Sequence, residues 1–278
     1  MSTYKKEVGT SVINYAGDYP GAADGQLWYD STNTNFKYSY GATTNAWSTG
    51  GNLNTARSSL AGAGTQTLAL AFGGRNFPSP PSAATESYNG TSWTEVNDLG
   101  TARYRLAGAG TQTAALAFGG FVPPALTGAT ESWNGTSWTE VNDLNTGRYA
   151  LAGSGASNTA VLAFGGESPY YAVTESWNGT SWTEVNDLNT ARGTSLGGSG
   201  TQTSALAFGG SIPPFTGLTE VWNGTSWSEE GDLSTARADI MSSANSDSSS
   251  AFAAGGNTGS ISSATEEWSY SDTTFTVG

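Results

Sequence analysis

A segment of about 45 residues returns along this sequence, and a chain built that way can bury apolar surface only by stacking each copy on the next. The copy from Thr130 to Arg148, TESWNGTSWTEVNDLNTGR, is the clearest. Its closing arginine recurs as Arg57, Arg103, Arg148, Arg192 and Arg237, at intervals of 46, 45, 44 and 45 residues. A double glycine keeps the same beat at Gly73-Gly74, Gly119-Gly120, Gly165-Gly166, Gly209-Gly210 and Gly255-Gly256, each closing an apolar run such as LALAFGG. Trp47, Trp93, Trp138, Trp182 and Trp227 follow it too. The period outranks length as a guide to domain count, so the 278 residues are read as one array.

One repeat reads as four short strands. The first follows the arginine and holds small residues, as in RYALAGSG; the second is the apolar run up to the double glycine. TESWN is the third and TSWTEV the fourth. The Asn-Gly pair between them predicts a type I′ turn, which needs positive φ at both central residues. Small residues in the first strand suit the inner edge of a radial sheet, where strands converge and bulky side chains clash. With 10 Trp and 12 Tyr, the Gly, Ser and Thr content signals tight turns between strands and not disorder, because disordered segments lack apolar surface.

These units resemble the kelch repeat: an apolar strand ending in Gly-Gly, an aromatic about 13 residues on (Tyr88, Trp133, Trp177, Trp222, Trp268), then a Trp five further. The resemblance covers 57–278 in five units and implies an all-β fold, a β-propeller of four-stranded blades. The last unit departs from the pattern, with Ser-Tyr-Ser-Asp in place of the Asn-Gly turn and Phe275 in place of Trp. Upstream, the run GQLWYDSTNTNFKYSYGATTNAWSTGGNLNTAR reads as a three-stranded meander that enters the first unit through the common linker. Six blades are therefore expected, five regular and one degenerate N-terminal blade at 25–56 within a single propeller at 25–278. Five blades with an N-terminal β-meander is the alternative. Residues 1–24 are expected to be an arm, with one short strand at Val12 to Tyr15.

The composition excludes several functions. A net charge of -13 argues against nucleic acid, since sequence-independent binding to phosphates is driven by Lys and Arg. Without Cys or His there is no thiolate, imidazole base or Cys/His metal site, and no cofactor or metal is expected. The kelch-type copper oxidases need a Cys-Tyr pair and His ligands, which are missing. Nothing approaches the roughly 20 apolar residues of a membrane helix, and the N-terminus lacks the apolar run of a signal peptide. Asp and Glu recur identically in successive repeats, whereas catalysis needs one asymmetric constellation, so no enzyme is expected and a propeller glycosidase ranks last. The Asn-Gly-Thr triplets at Asn89, Asn134, Asn178 and Asn223 match the N-glycosylation pattern, but the turn accounts for them.

Two groups of residues remain as candidate sites. In an up-and-down blade the loop between strands two and three opens on the same face as the linker. These loops differ where the rest of the repeat agrees: RNFPSPPSAA, FVPPALTGA, ESPYYAV, SIPPFTGL and NTGSISSA. Four carry Pro with an aromatic, namely Phe77, Phe121, Tyr170 with Tyr171, and Phe215, which makes them candidate ligand or partner contacts. Arg57, Arg103, Arg148, Arg192 and Arg237 form a candidate anion-binding ring, although structural pairing with Glu86, Glu131, Glu175 and Glu220, or with the linker acids Asp98, Asp143, Asp187 and Asp232, is the preferred expectation.

The stretch GDYPGAADGQLWYDSTNTNFKYSYGATTNAW also resembles a short aromatic meander, GxLWYxxxxxxFKxY…W, near the start of bacteriophage tail-fibre and other virion proteins. That resemblance implies a virion-associated binding or structural protein, made in a bacterial cytoplasm and then exposed outside. Its expected partners are a host-surface glycan or another virion protein, with homo-oligomers on the particle. A bacterial protein-interaction scaffold is the alternative.

Overall fold

The computed structural model describes residues 3–5, 11–16, 27–38, 49–242 and 248–269. They belong to two compact units, Met1–Thr49 and Gly50–Gly278, with no helix among the described residues.

The larger unit is a β-propeller of five blades, consistent with the kelch type. Each blade is an antiparallel sheet whose strands pair in chain order. Blade one comprises Ala61–Gly64, Ala69–Phe72, Thr85–Tyr88 and Trp93–Val96. Blade two runs through Ala107–Thr111, Ala114–Phe118, Thr130–Trp133 and Trp138–Val141. Blade three has Ala152–Ser157, Ala160–Phe164, Thr174–Trp177 and Trp182–Val185. Blade four has Gly197–Gly200, Ala205–Phe208, Thr219–Trp222 and Trp227–Glu229. Three strands of blade five are described, Met241–Ser242, Ser250–Ala254 and Thr265–Ser269. Its Ser-Tyr-Ser-Asp turn beyond Ser269 and Phe275 lie outside the described residues.

Small residues in the inner strands let neighbouring blades approach. A Cβ on Gly108 would stand 2.5 Å from the ring of Phe72 in the preceding blade and 2.7 Å from the Gly62 carbonyl. The second-strand Phe of one blade meets the outer-strand Trp of the next: Phe72 on Trp138 at 4.9 Å between centroids, Phe118 on Trp182 at 5.1 Å, Phe164 on Trp227 at 5.0 Å. Edge-inclined pairs of this kind add about 0.5–1.5 kcal/mol beyond their buried area. The same indoles donate Nε1–H to the preceding blade, from Trp138 to Thr85, Trp182 to Thr130 and Trp227 to Thr174. At the other end of the sheet the hairpin tips reach back: Gln112 donates to Ser87 Oγ and the Tyr88 carbonyl, and Asn158 to Ser132 Oγ and the Trp133 carbonyl. Gln202 does the same to Ser176 Oγ and the Trp177 carbonyl, so blades two, three and four are each fastened to the preceding blade by one aromatic contact and two polar side chains.

The outer hairpins differ from the expected two-residue turn. Trp133 pairs directly with Trp138, so the loop is the four residues Asn134 to Ser137, and its Gly135 is at φ 91° while Asn134 is not in the left-handed region. Asn134 Oδ1 accepts the N–H of both Thr136 and Ser137, and Asn89, Asn178 and Asn223 repeat the arrangement. A side chain that caps two amides stabilises the longer loop over a type I′ turn.

The smaller unit carries a four-stranded sheet in the order Thr3–Lys5, Ser11–Tyr15, Leu27–Asp30, Asn35–Tyr38. The hairpin expected in LWYDSTNTNFKY is present, with Asp30 opposite Asn35 and the Asp30 carboxylate accepting the N–H of Thr32 and Asn33. Ser11–Tyr15, however, pairs parallel to Leu27–Asp30, and a blade contains only antiparallel pairs. The sixth, degenerate blade at 25–56 is therefore not formed among the described residues, and the segment assigned to an arm supplies two strands. The third strand of the meander, around Trp47, lies outside the described residues.

Candidate functional site

The five repeated arginines sit inside the blades. Arg103 lies 2.7 Å from Glu131, Arg57 2.6 Å from Glu86 and Arg148 2.5 Å from Glu175, while Arg192 pairs with Glu220 and Arg237 with Glu266. Each glutamate also takes amide protons from the linker that leads into the blade, as Glu131 does from Gly100 and Thr101. Each linker aspartate from Asp98 to Asp232 caps the first amide of the third strand, at Thr85, Thr130, Thr174 and Thr219. Burial lowers the pKa of Arg103 and Arg148, with Glu131 and Glu175 opposing it. Because the guanidinium groups of Arg103, Arg148, Arg192 and Arg237 are closed off from solvent, they offer no face to an external anion. The Nε–H of Arg57, Arg103, Arg148 and Arg192 is buried without a protein acceptor, so these pairs fix linker and strand in register at some cost in desolvation.

Above the arginines the strands open into a rim. In every blade the residue after the arginine bridges to the residue after the double glycine: Ser58 to Arg75, Tyr104 to Phe121, Tyr149 to Glu167, Gly193 to Ser211, Ala238 to Asn257. The loops between strands two and three therefore do begin beside the linker. One residue further, Ser59, Arg105, Ala150, Thr194 and Asp239 all hold φ between 52° and 58°, and Ser195, the next residue along in blade four, is at 50°. This places their backbones in the left-handed region that non-glycine residues rarely occupy. From there amides step from blade to blade, Arg105 N–H to Ser59 O, Ala150 N–H to Arg105 O and Ser195 N–H to Ala150 O. Hydrogen bonds in series hold the strained residues in place and fix where the rim side chains start.

The rim is uneven. Blades four and five contribute Gly193, Ser211, Ala238 and Asn257, whereas blades one to three contribute Ser58, Arg75, Tyr104, Phe121, Tyr149 and Glu167. Arg75, Tyr104, Arg105, Phe121 and Tyr149 line an open cleft of about 230 Å³. Tyr104 and Phe121 meet edge to face at 5.6 Å, and Phe121 and Tyr149 lie tilted to each other at 5.8 Å. The Arg75 guanidinium lies 4.2 Å above the Tyr104 ring and 5.7 Å from that of Phe77; Arg105 lies 5.6 Å from the Tyr149 ring. Glu167 approaches Arg105 at 3.6 Å and leans over Gly193, where a Cβ would come within 2.6 Å of its Cγ. Burial, followed by the hydrogen bond and charge of Glu167, pushes the Tyr149 phenol above its ordinary pKa. Partial desolvation raises Asp239 as well, with Glu167 adding to it and Arg105 opposing.

Of the loop aromatics, Phe77 and Phe121 join this cluster. Phe77 is 77% exposed, and Phe121 forms a wall of the cleft. Tyr170 is exposed, Tyr171 donates its hydroxyl to the Ser168 carbonyl, and Phe215 folds back to bridge Ser211; none of the three makes a ring contact with the cluster among the described residues. Tyr104, Tyr149, Arg75 and Arg105 are cleft residues that loop comparison misses. Their signal is the variation of residue type at fixed positions, one and two after the arginine and one after the double glycine, within repeats that agree on either side. No family model and no curated protein matches the chain.

Proposed function

We propose that this propeller is a non-enzymatic binding protein of a bacteriophage virion, a tail-fibre or surface accessory component that holds a host-surface glycan in the rim cleft. The observation that carries the binding role is the confinement of aromatic and cationic rim residues to three adjacent blades above a scaffold that is otherwise repeated. Aromatic walls with a few fixed polar groups suit a sugar ring, whose apolar face stacks on Tyr or Phe while its hydroxyls are bonded at the edge. The virion assignment rests on the N-terminal resemblance.

A glycan array and a host-cell adsorption assay test this reading. Intact protein should bind a discrete set of saccharides, and Phe121→Ala or Tyr149→Ala should weaken that binding about tenfold or more, the loss expected for one stacking aromatic. Unchanged binding in both variants would remove the cleft from consideration. Particles that carry the protein at symmetric copy number, with no saccharide bound by the intact chain, would assign it to virion architecture instead.

A further inference from the structure

Arg75 stands apart from the other basic groups of the propeller. The unit contains seven arginines; Arg57, Arg103, Arg105, Arg148, Arg192 and Arg237 each have a carboxylate partner. Arg75 has no carboxylate at ion-pair distance among the described residues. It is held by its backbone, whose amide and carbonyl both pair with Ser58, and by the stack on Tyr104 and Phe77. Stacking on one face fixes the guanidinium plane and leaves its N–H edge free to meet a planar anion two bonds at a time. In a chain of net charge -13, an arginine without a carboxylate partner among the described residues, set beside an aromatic cleft, is a specific feature and not part of a basic surface.

We infer that the rim cleft selects a saccharide bearing an acidic group, a carboxylate or sulfate on a terminal sugar, with Arg75 as its charge contact. This rests on the glycan reading given above. The cleft of about 230 Å³ falls below the ~300–1,000 Å³ of sites that enclose drug-sized ligands, so it suits one sugar unit with the rest of the chain outside. Tyr104, Phe121 and Tyr149 supply the ring faces. Arg105 is held by Glu167, whose carboxylate repels an anion from that end and directs the acidic group toward Arg75.

The test compares three probes on the full chain by calorimetry: an oligogalacturonate, a chondroitin sulfate oligosaccharide and neutral maltohexaose. One acidic probe should bind about tenfold or more tightly than maltohexaose, the scale of a charge-assisted hydrogen bond, and which one does so separates carboxylate from sulfate. Arg75→Gln should erase that preference, bringing the affinity for the acidic probe down about tenfold or more to the level that the same variant shows for maltohexaose. Equal affinity for neutral and acidic probes, or a preference that survives Arg75→Gln, overturns the inference and leaves the glycan reading in place. Failure of all three probes together with a blank glycan array overturns both. Binding of poly-glutamate as tight as that of the acidic sugar, and equally lost in Arg75→Gln, overturns the saccharide in favour of an acidic protein segment.

Discussion

The Arg103 guanidinium and the Glu131 carboxylate lie 2.7 Å apart inside blade two, with Arg103 fully buried and Glu131 only 3% exposed. Removing the acid strands a buried cation and two backbone donors at once, because Glu131 also holds the amides of Gly100 and Thr101. Glu131→Ala should lower stability by about 3–5 kcal/mol, read as a fall in the urea midpoint at unchanged slope. A loss below about 1 kcal/mol would mean that the pair is dispensable.

The same pairs set the response to acid. In Glu86 and Glu266 desolvation alone raises the carboxyl pKa, but hydrogen bonds from Asn54 and Ser234 and the charges of Arg57 and Arg237 outweigh it, and both pKa values are lowered. A depressed folded-state pKa gives stability that is complete above the unfolded value, about 4.3 for Glu, and is lost as pH falls through the folded one. Urea midpoints should therefore hold from pH 7 to about 5 and drop steeply below about 4. Glu86→Gln should flatten that drop.

Trp182 separates packing from hydrogen bonding across a blade interface. Trp182→Phe loses the Nε1–H bond to Thr130 Oγ1 but keeps a ring against Phe118, and should cost about 1 kcal/mol. Trp182→Ala removes both and should cost about 3–5 kcal/mol. Equal losses in the two variants would show that the hydrogen bond dominates.

Gly108 has backbone on one side and a ring on the other, so Gly108→Ala must move a blade. A Cβ 2.7 Å from the Gly62 carbonyl cannot be relieved by a rotamer change. The substitution should destabilise by about 1–3 kcal/mol in thermal melts, against the small gain that Ala for Gly brings to an uncrowded strand.

Tyr149 should titrate above the ordinary phenol value of about 10 in an ultraviolet difference titration, and Glu167→Gln should bring it back toward that value. Its raised folded pKa stabilises the protein fully below pH 10 and ceases to do so as the pH rises through the folded value. An unshifted phenol in the intact protein would contradict the contact between Tyr149 and Glu167.

How much the sequence discloses depends on how local each cause is. The blades, their boundaries and the partners of Arg103 and Arg148 follow from positions that recur together, because each repeat must satisfy the same buried groups. The number of blades does not follow. LWYD and NFKY form the expected hairpin, but whether it joins a blade depends on Ser11–Tyr15 pairing beside it in parallel, which no local pattern encodes. The turn type is missed because Asn-Gly is a two-residue cue, and the caps made by Asn134 act over four. Phe121 is found from its loop, while Tyr104 and Tyr149 look like ordinary strand residues until the backbone steps from Ser59 to Arg105 to Ala150 carry them to a common opening.

Those steps separate what may change from what must stay. The rim residues project from a shared backbone course, and each pair travels with its own blade. A recombination that swaps or duplicates a repeat replaces two cleft residues in one event while carrying along its own glutamate, tryptophan and hairpin tip. Near-identical repeats are good substrates for such exchange, so this mouth could acquire new specificities by shuffling blades, at a pace that point mutation of a single pocket would not match.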